Sequence, residues 1–237
     1  MALPILTTPT YELEVPSTAT KIKYRPFLVK EEKILLMAME SDDNNQVIQA
    51  VKTIVSECTF NKVDLGNSPM FDIEYIFLQI RGKSAGEVSN IRLLCKDDGK
   101  TYADVEINLN DIGVHVTEEH TNKIELTDEM GMIMSYPTID SFANTGISKI
   151  DSSNMLEVIA TCILQIYENK GEKTYDTKDQ TKEEVNEFIE SLNTKQFKDV
   201  QMFFETMPKL KHEITIKNPK TKVESKIMLN GLNDFFG

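Results

Sequence analysis

The spacing of apolar and polar positions divides the chain into short elements, and one stretch stands apart. From Asn154 to Lys170, the residues Met155, Leu156, Val158, Ile159, Cys162, Ile163, Leu164, Ile166 and Tyr167 fall on nearly every side of a helical projection. A helix apolar all round belongs at the centre of a soluble protein, covered by neighbours on several faces. Asn154 is placed to cap its start with Glu157 reaching back, and Gly171 to end it in the left-handed conformation.

Towards the N-terminus the pattern predicts a β-hairpin over residues 10–26. Thr10–Val15 and Lys21–Arg25 alternate around the turn Pro16–Thr20. A short helix over Lys30–Glu40 carries Ile34, Leu35 and Ala38 on one side, and Ser41–Asn45 breaks it. A second helix, about Asn44 to Glu57, has a full stripe in Val47, Ile48, Val51, Ile54, Val55 and Cys58. Ser68 as cap and Pro69 in the first turn open a third helix that runs to Arg81, with Gly82 as its stop. Its wide apolar face around Ile73, Ile76, Phe77 and Ile80 is expected to dock inside the protein rather than on a partner.

Strands follow. Val88–Cys95 and Thr101–Leu109 flank the tight-turn sequence Lys96–Lys100, and Gly113–Thr117 with Lys123–Thr127 reads as a second pair. Met130–Met134 is a pliable apolar run better suited to core than to an adaptable surface, and a short helix is expected after Pro137 through Ile139 and Phe142. Beyond the central helix, Glu172–Gln180 is polar and reads as a loop. Thr181–Glu184 is a capping box for a helix with Val185, Phe188, Ile189 and Leu192 on one face. Ser191–Thr194 interrupts it before a further helix with Phe197, Val200, Phe203, Phe204 and Met207, stopped by Pro208, so the two form a helical hairpin. The tail is a hairpin, His212–Ile216 and Lys222–Leu229 around Lys217–Lys220. It repeats the layout of Cys95–Asn110, since both run turn, strand, then Ile-x-Leu-Asn.

The fold class is therefore α+β: a helical body around a central buried helix, with an N-terminal β-hairpin and one or two further β-hairpin modules. The expected parts are 1–86, 87–136, 137–208 and 209–237, together one compact unit.

Composition narrows the function. A chain of 237 residues with 40% apolar residues can bury a sizeable core, and no apolar run is long enough to cross a bilayer. No basic segment precedes an apolar core at Met1–Leu6, so a cytosolic protein is expected. The net charge of −12 argues against a general nucleic-acid binder. Cys58, Cys95 and Cys162 are sparse and far apart, which reads as reduced, buried thiols. The best metal-ligand set, Cys95, His115, His120 and His212, has no close converging pair. No nucleophile, zinc-protease or phosphate-loop motif is present, and Asp97-Asp98 and Glu183-Glu184 suit a turn and a helix start, so no catalytic residue and no cofactor are assigned. One local asymmetry stands out: from Thr194 to Leu229, eight lysines face Asp199, Glu205, Glu213 and Glu224, which suits a solvated strand face or an acidic partner.

The segment Lys21-Ile-Lys-Tyr-Arg-Pro-Phe-Leu-Val-Lys-Glu-Glu-Lys33, after Pro9-Thr-Tyr-Glu-Leu13, and the closing Gly231-Leu-Asn-Asp-Phe-Phe236 carry a resemblance. They are similar to the two ends of the baseplate hub subunit or hub assembly protein family of T-even-type contractile-tailed bacteriophages. The resemblance implies a structural protein that binds other baseplate hub and tail proteins, with no enzymatic activity and no contact with nucleic acid or membrane. A transient chaperone for hub components or the tape-measure protein is the alternative it leaves open. A degenerate zinc-ribbon module is a third reading, although the turn Lys217–Lys220 holds no cysteine. The adhesive residues expected from the resemblance are Arg25, Pro26, Phe27 and Val29, with Leu232, Phe235 and Phe236 at the other end.

Overall fold

A computed structural model of the chain describes residues 6–41, 43–141, 154–231 and 234. The first elements are β1 (Tyr11–Glu14), β2 (Lys21–Tyr24), α1 (Val29–Glu40), α2 (Asn44–Cys58) and α3 (Met70–Ala85). The strands β3 (Val88–Leu94), β4 (Tyr102–Asn108), β5 (Gly113–His115), β6 (Lys123–Glu125) and β7 (Gly131–Met134) follow. The chain then runs through α4 (Met155–Cys162), β8 (Ile163–Glu168), β9 (Lys173–Asp176), α5 (Lys182–Glu190) and α6 (Thr194–Thr206) to β10 (Lys209–Lys217) and β11 (Glu224–Asn230). The class is α+β, with helices beside small antiparallel sheets. Two compact units emerge, Met1–His115 with Lys209–Gly237 and Val116–Pro208. The stretch expected as one module over 87–136 is thus shared between them.

In the first unit the N-terminal hairpin forms in the expected place, with Leu13 opposite Ile22 and both buried. Asp72, itself buried in the first turn of α3, holds the hairpin turn by accepting from the Ser17 amide (3.0 Å) and hydroxyl. Burial raises the Asp72 carboxyl above its ordinary range, more than these two hydrogen bonds lower it. The third helix is longer than expected. Pro69 stands at its N-cap, and Gly82 does not stop it but lies buried within it, where a Cβ would stand 3.9 Å from the Leu109 side chain. That is an ordinary contact, so space does not require a glycine there, and the stop falls to Gly86 at φ +107°.

The two turn-strand repeats form β3–β4 and β10–β11. Their buried rows meet in a shared core of Leu78, Ile91, Ile107, Ile112, Leu210 and Leu229, with Cys95, Ala103 and Ile216 packed under the turns. The turns match in detail. Gly99 donates to the Cys95 carbonyl (3.0 Å) and Lys222 to the Asn218 carbonyl (2.9 Å), with Gly99 at φ +62° and Lys222 at φ +65°. Asp97 ties one turn to the other by accepting from Asn218 Nδ2 (3.0 Å) and the Thr221 hydroxyl (2.5 Å). The expected pairing of Gly113–Thr117 with Lys123–Thr127 does not occur. Gly113–His115 pairs instead with Lys209–Lys211, while Lys123–Glu125 pairs with β7. Short strands take their partners from whichever edge buries them, and the sequence between does not name that edge.

The second unit corrects the reading of Asn154–Lys170. The helix ends at Cys162, and Ile163–Glu168 is a strand of the sheet β6-β7-β8-β9. The polar stretch after it is β9 rather than a loop. A β-bulge explains how an apolar run of helical spacing serves as a strand. Met132 pairs with Ile166 and Met134 with Ile163, so the pairing register slips past the exposed Leu164 and keeps both isoleucines on the core side. Thr177 covers the bulge by donating to the Ile163 and Leu164 carbonyls. On the opposite face Tyr167 lies over Gly131, where any Cβ would collide with its ring. The methionine run is core as expected, with Met132 and Met134 buried among Ile124, Ile159, Cys162, Ile189 and Phe203. Helix begins again at residues 139–141, but Phe142 lies outside the described residues. The capping box of Thr181 and Glu184 is formed, and Asn193 with Gln196 makes a second one for α6.

Candidate functional site

The chemistry sought in the sequence is dispersed in space. Cys95 lies in the β3–β4 turn, His115 in β5 and His212 in β10, whereas His120 belongs to the other unit. Among the described residues no group of three or more His, Cys, Asp or Glu is arranged to hold a metal ion. Burial pushes the Cys58 thiol up to about 11 and the Cys162 thiol up to about 12, so both stay protonated and unreactive at neutral pH. The Cys95 thiol is raised by burial too.

His120 is held between two hydroxyls. Thr206 donates its proton to the Met202 carbonyl (2.7 Å) and therefore accepts from Nδ1 (3.0 Å), which leaves Nε2 to accept from Tyr136 (3.0 Å). The ring lies against Tyr136 and Phe203, and burial pushes its pKa below the ordinary value of 6.5. Sequence reading weighed this residue only as a metal ligand. Its role is to join the 116–122 segment to α6.

The lysine-rich tail is a solvated strand face. Lys226 pairs with Glu213 (2.6 Å) and Lys217 with Glu224 (3.7 Å) across β10–β11. These exposed pairs contribute little to stability.

The expected adhesive residues divide. Arg25 turns inward, where its guanidinium meets the buried Glu31 carboxylate (2.9 Å) and the Pro26 carbonyl (3.0 Å). Glu31 also accepts from the Leu28 amide (2.7 Å), which anchors the start of α1. Burial disfavours charge on Glu31, yet Arg25, that amide and Lys30 together outweigh it and hold the carboxyl below its usual range. Pro26 and Phe27 are buried, and the Phe27 amide donates to Ser84 (2.9 Å). Val29 alone of the four is open to solvent, at 80% exposure. Leu232, Phe235 and Phe236 lie outside the described residues.

Val29 begins a larger surface that sequence reading missed. α1 packs on α2 and buries Glu31 and Ala38, with Leu35 half-buried, yet Ile34, Leu36, Met37 and Met39 are 40–59% exposed. An exposed run of consecutive apolar residues is a fault in a free-standing helix unless something covers it. The signal was the unbroken stretch Ile34–Met39, which has more apolar residues than one side of a helix can bury. At the other end of the helical hairpin, α2 closes with Phe60 and Asn61 both in the left-handed region, at φ +57° and +56°. Phe60 occupies a position that favours glycine and is 45% exposed.

Over residues 8–237 the sequence matches the family described as T4 bacteriophage base plate protein. The chain belongs to that family. No curated protein and no solved structure matches it significantly. For a base plate protein, whose role is structural or in assembly, the surfaces that matter are those through which subunits hold one another. Charge separates the two units in this respect. Residues 116–208 hold 18 Asp and Glu against 8 Lys and Arg, a net of −10, so the unit that carries α1 is left with only −2 of the total of −12. The apolar helix of this base plate protein thus sits on its nearly neutral part.

Proposed function

We propose that this protein is a subunit of the base plate hub, or a factor in its assembly, and that it acts only by binding, with no bond made or broken. The observation that carries this reading is the exposed apolar helix α1, on a unit of low net charge, in a member of the base plate family. Apolar side chains left open on a folded chain gain most when a partner removes them from water, by roughly 25 cal/mol for each Å² covered. The partners are other hub and tail proteins, met in the cytoplasm of the infected host. The buried, protonated thiols of Cys58 and Cys162 are compatible with adhesion.

The test is co-expression of the full chain with the other tail proteins of its phage, followed by affinity capture. A specific hub protein should be retained, and Leu36→Glu, which places a charge in the exposed run, should release it. Capture of no tail protein would overturn the reading. Mass spectrometry of purified particles then separates the two roles: presence of the chain supports a resident subunit, and its absence from intact tails assigns it to assembly alone.

A further inference from the structure

We propose that the outer stripe of α1 is a contact between two copies of this chain, paired antiparallel about a two-fold axis that passes between Leu36 and Met37. The proposal rests on the adhesive reading of the same helix and names its first partner.

The geometry begins with the face turned away from α2. Since Glu31, Leu35 and Ala38 point inward, Lys33, Leu36, Met37 and Glu40, spaced at helical i, i+3, i+4 and i+7, share the opposite side, with Val29 one turn before them. Leu36 and Met37 are 55% and 59% exposed, and Val29 is 80% exposed. The stripe is apolar at its centre, with a cation at one end and an anion at the other.

That order is self-complementary. With the axis between Leu36 and Met37, Leu36 of one copy faces Met37 of the other and Lys33 faces Glu40. A symmetric contact requires one patch to match itself in this way. The pairing also resolves a local conflict, because Glu40 sits in the last turn of α1 with no basic residue there to balance the helix dipole. An antiparallel neighbour would bring Lys33 to that position.

Area and charge are consistent with a weak, specific dimer. The apolar residues of the stripe, Val29, Leu36 and Met37, offer roughly 350 Å² a copy, or about 700 Å² for a pair before the Lys33 and Glu40 rim is counted, the size of a weak, transient contact. The two copies would meet through the unit of net −2, which limits the repulsion between them.

The experiment is sedimentation velocity on the full chain from about 1 to about 200 µM, a range that brackets micromolar affinity. The wild-type chain should pass from monomer to dimer as concentration rises. Leu36→Glu should stay monomeric while keeping the wild-type thermal transition, which shows that the fold is intact. Lys33→Glu should weaken dimerisation roughly tenfold by setting like charges opposite each other, and Lys33→Glu with Glu40→Lys should restore it. A chain that is monomeric throughout overturns the proposal, as does a dimer indifferent to Leu36→Glu or one not rescued by the charge exchange. A monomer that still captures a hub protein overturns the pairing and leaves the adhesive reading standing. A dimer that captures no tail protein does the reverse.

Discussion

Helices α1 and α4 are two apolar segments with opposite fates. In α4, Val158, Ile159 and Cys162 are buried because a four-stranded sheet and the α5–α6 hairpin close over them. In α1, which packs on α2, Leu36 and Met37 remain more than half exposed. An apolar pattern states that a face wants cover, and it does not state which chain supplies it. For α4 the cover lies within the same unit. For α1 we assign it to another polypeptide, so α4 belongs to folding and α1 to assembly.

The contrast can be broken most forcefully by paired truncations. Ile159→Ala should cost about 3 kcal/mol, as for a fully buried aliphatic side chain, whereas Leu36→Ala should shift the stability of the monomer by no more than about 0.5 kcal/mol. Urea unfolding of both variants in dilute solution checks this, and equal losses would show that Leu36 is part of the core. Acid should then separate the two units by a smaller effect. The His120 pKa is lowered by burial from 6.5, so the unfolded chain takes up the proton first. The stability this neutral ring contributes is complete above pH 6.5 and is lost as pH falls towards the folded value. Glu31 behaves otherwise: with its carboxyl held below 4.5, its contribution lasts until pH falls below that value. Asp72, raised by burial, works in the opposite direction by favouring the folded form as it gains its proton. Thermal unfolding between pH 7.5 and 5 should therefore show a loss in the wild-type chain that His120→Gln flattens, and an unchanged slope in that variant would remove His120 as its source. The smallest effect is a gain. Phe60→Gly relieves a left-handed backbone at the end of α2 and should stabilise the chain by about 0.5–1 kcal/mol, measured as a raised urea midpoint. Loss of stability would mean that the Phe60 ring contributes to packing in the free chain.

What was legible in the sequence was what is settled locally. The capping box at Thr181 and Glu184, the stripe of α2 and the hairpins β1–β2 and β3–β4 depend on residues a few positions apart. The conversion of Ile163–Glu168 to a strand was not legible, because an apolar run fits a buried helix or a buried strand and here the sheet partners β7 and β9 decide. The pairing of Gly113–His115 with Lys209–Lys211 joins segments that are remote in sequence. At the candidate site, the expected adhesive residue Val29 is exposed, whereas Arg25 turns inward onto Glu31, a buried acidic partner that only the fold reveals.

The most direct test of the claim that α1 is covered in the working protein is methionine oxidation by peroxide, read residue by residue in the free, dilute chain and in the assembled tail complex. Met132 and Met134, buried in the second unit, should be protected in both states and serve as the internal standard. Met37 should oxidise readily in the free chain and become protected on assembly. Equal oxidation of Met37 in the two states would contradict the account.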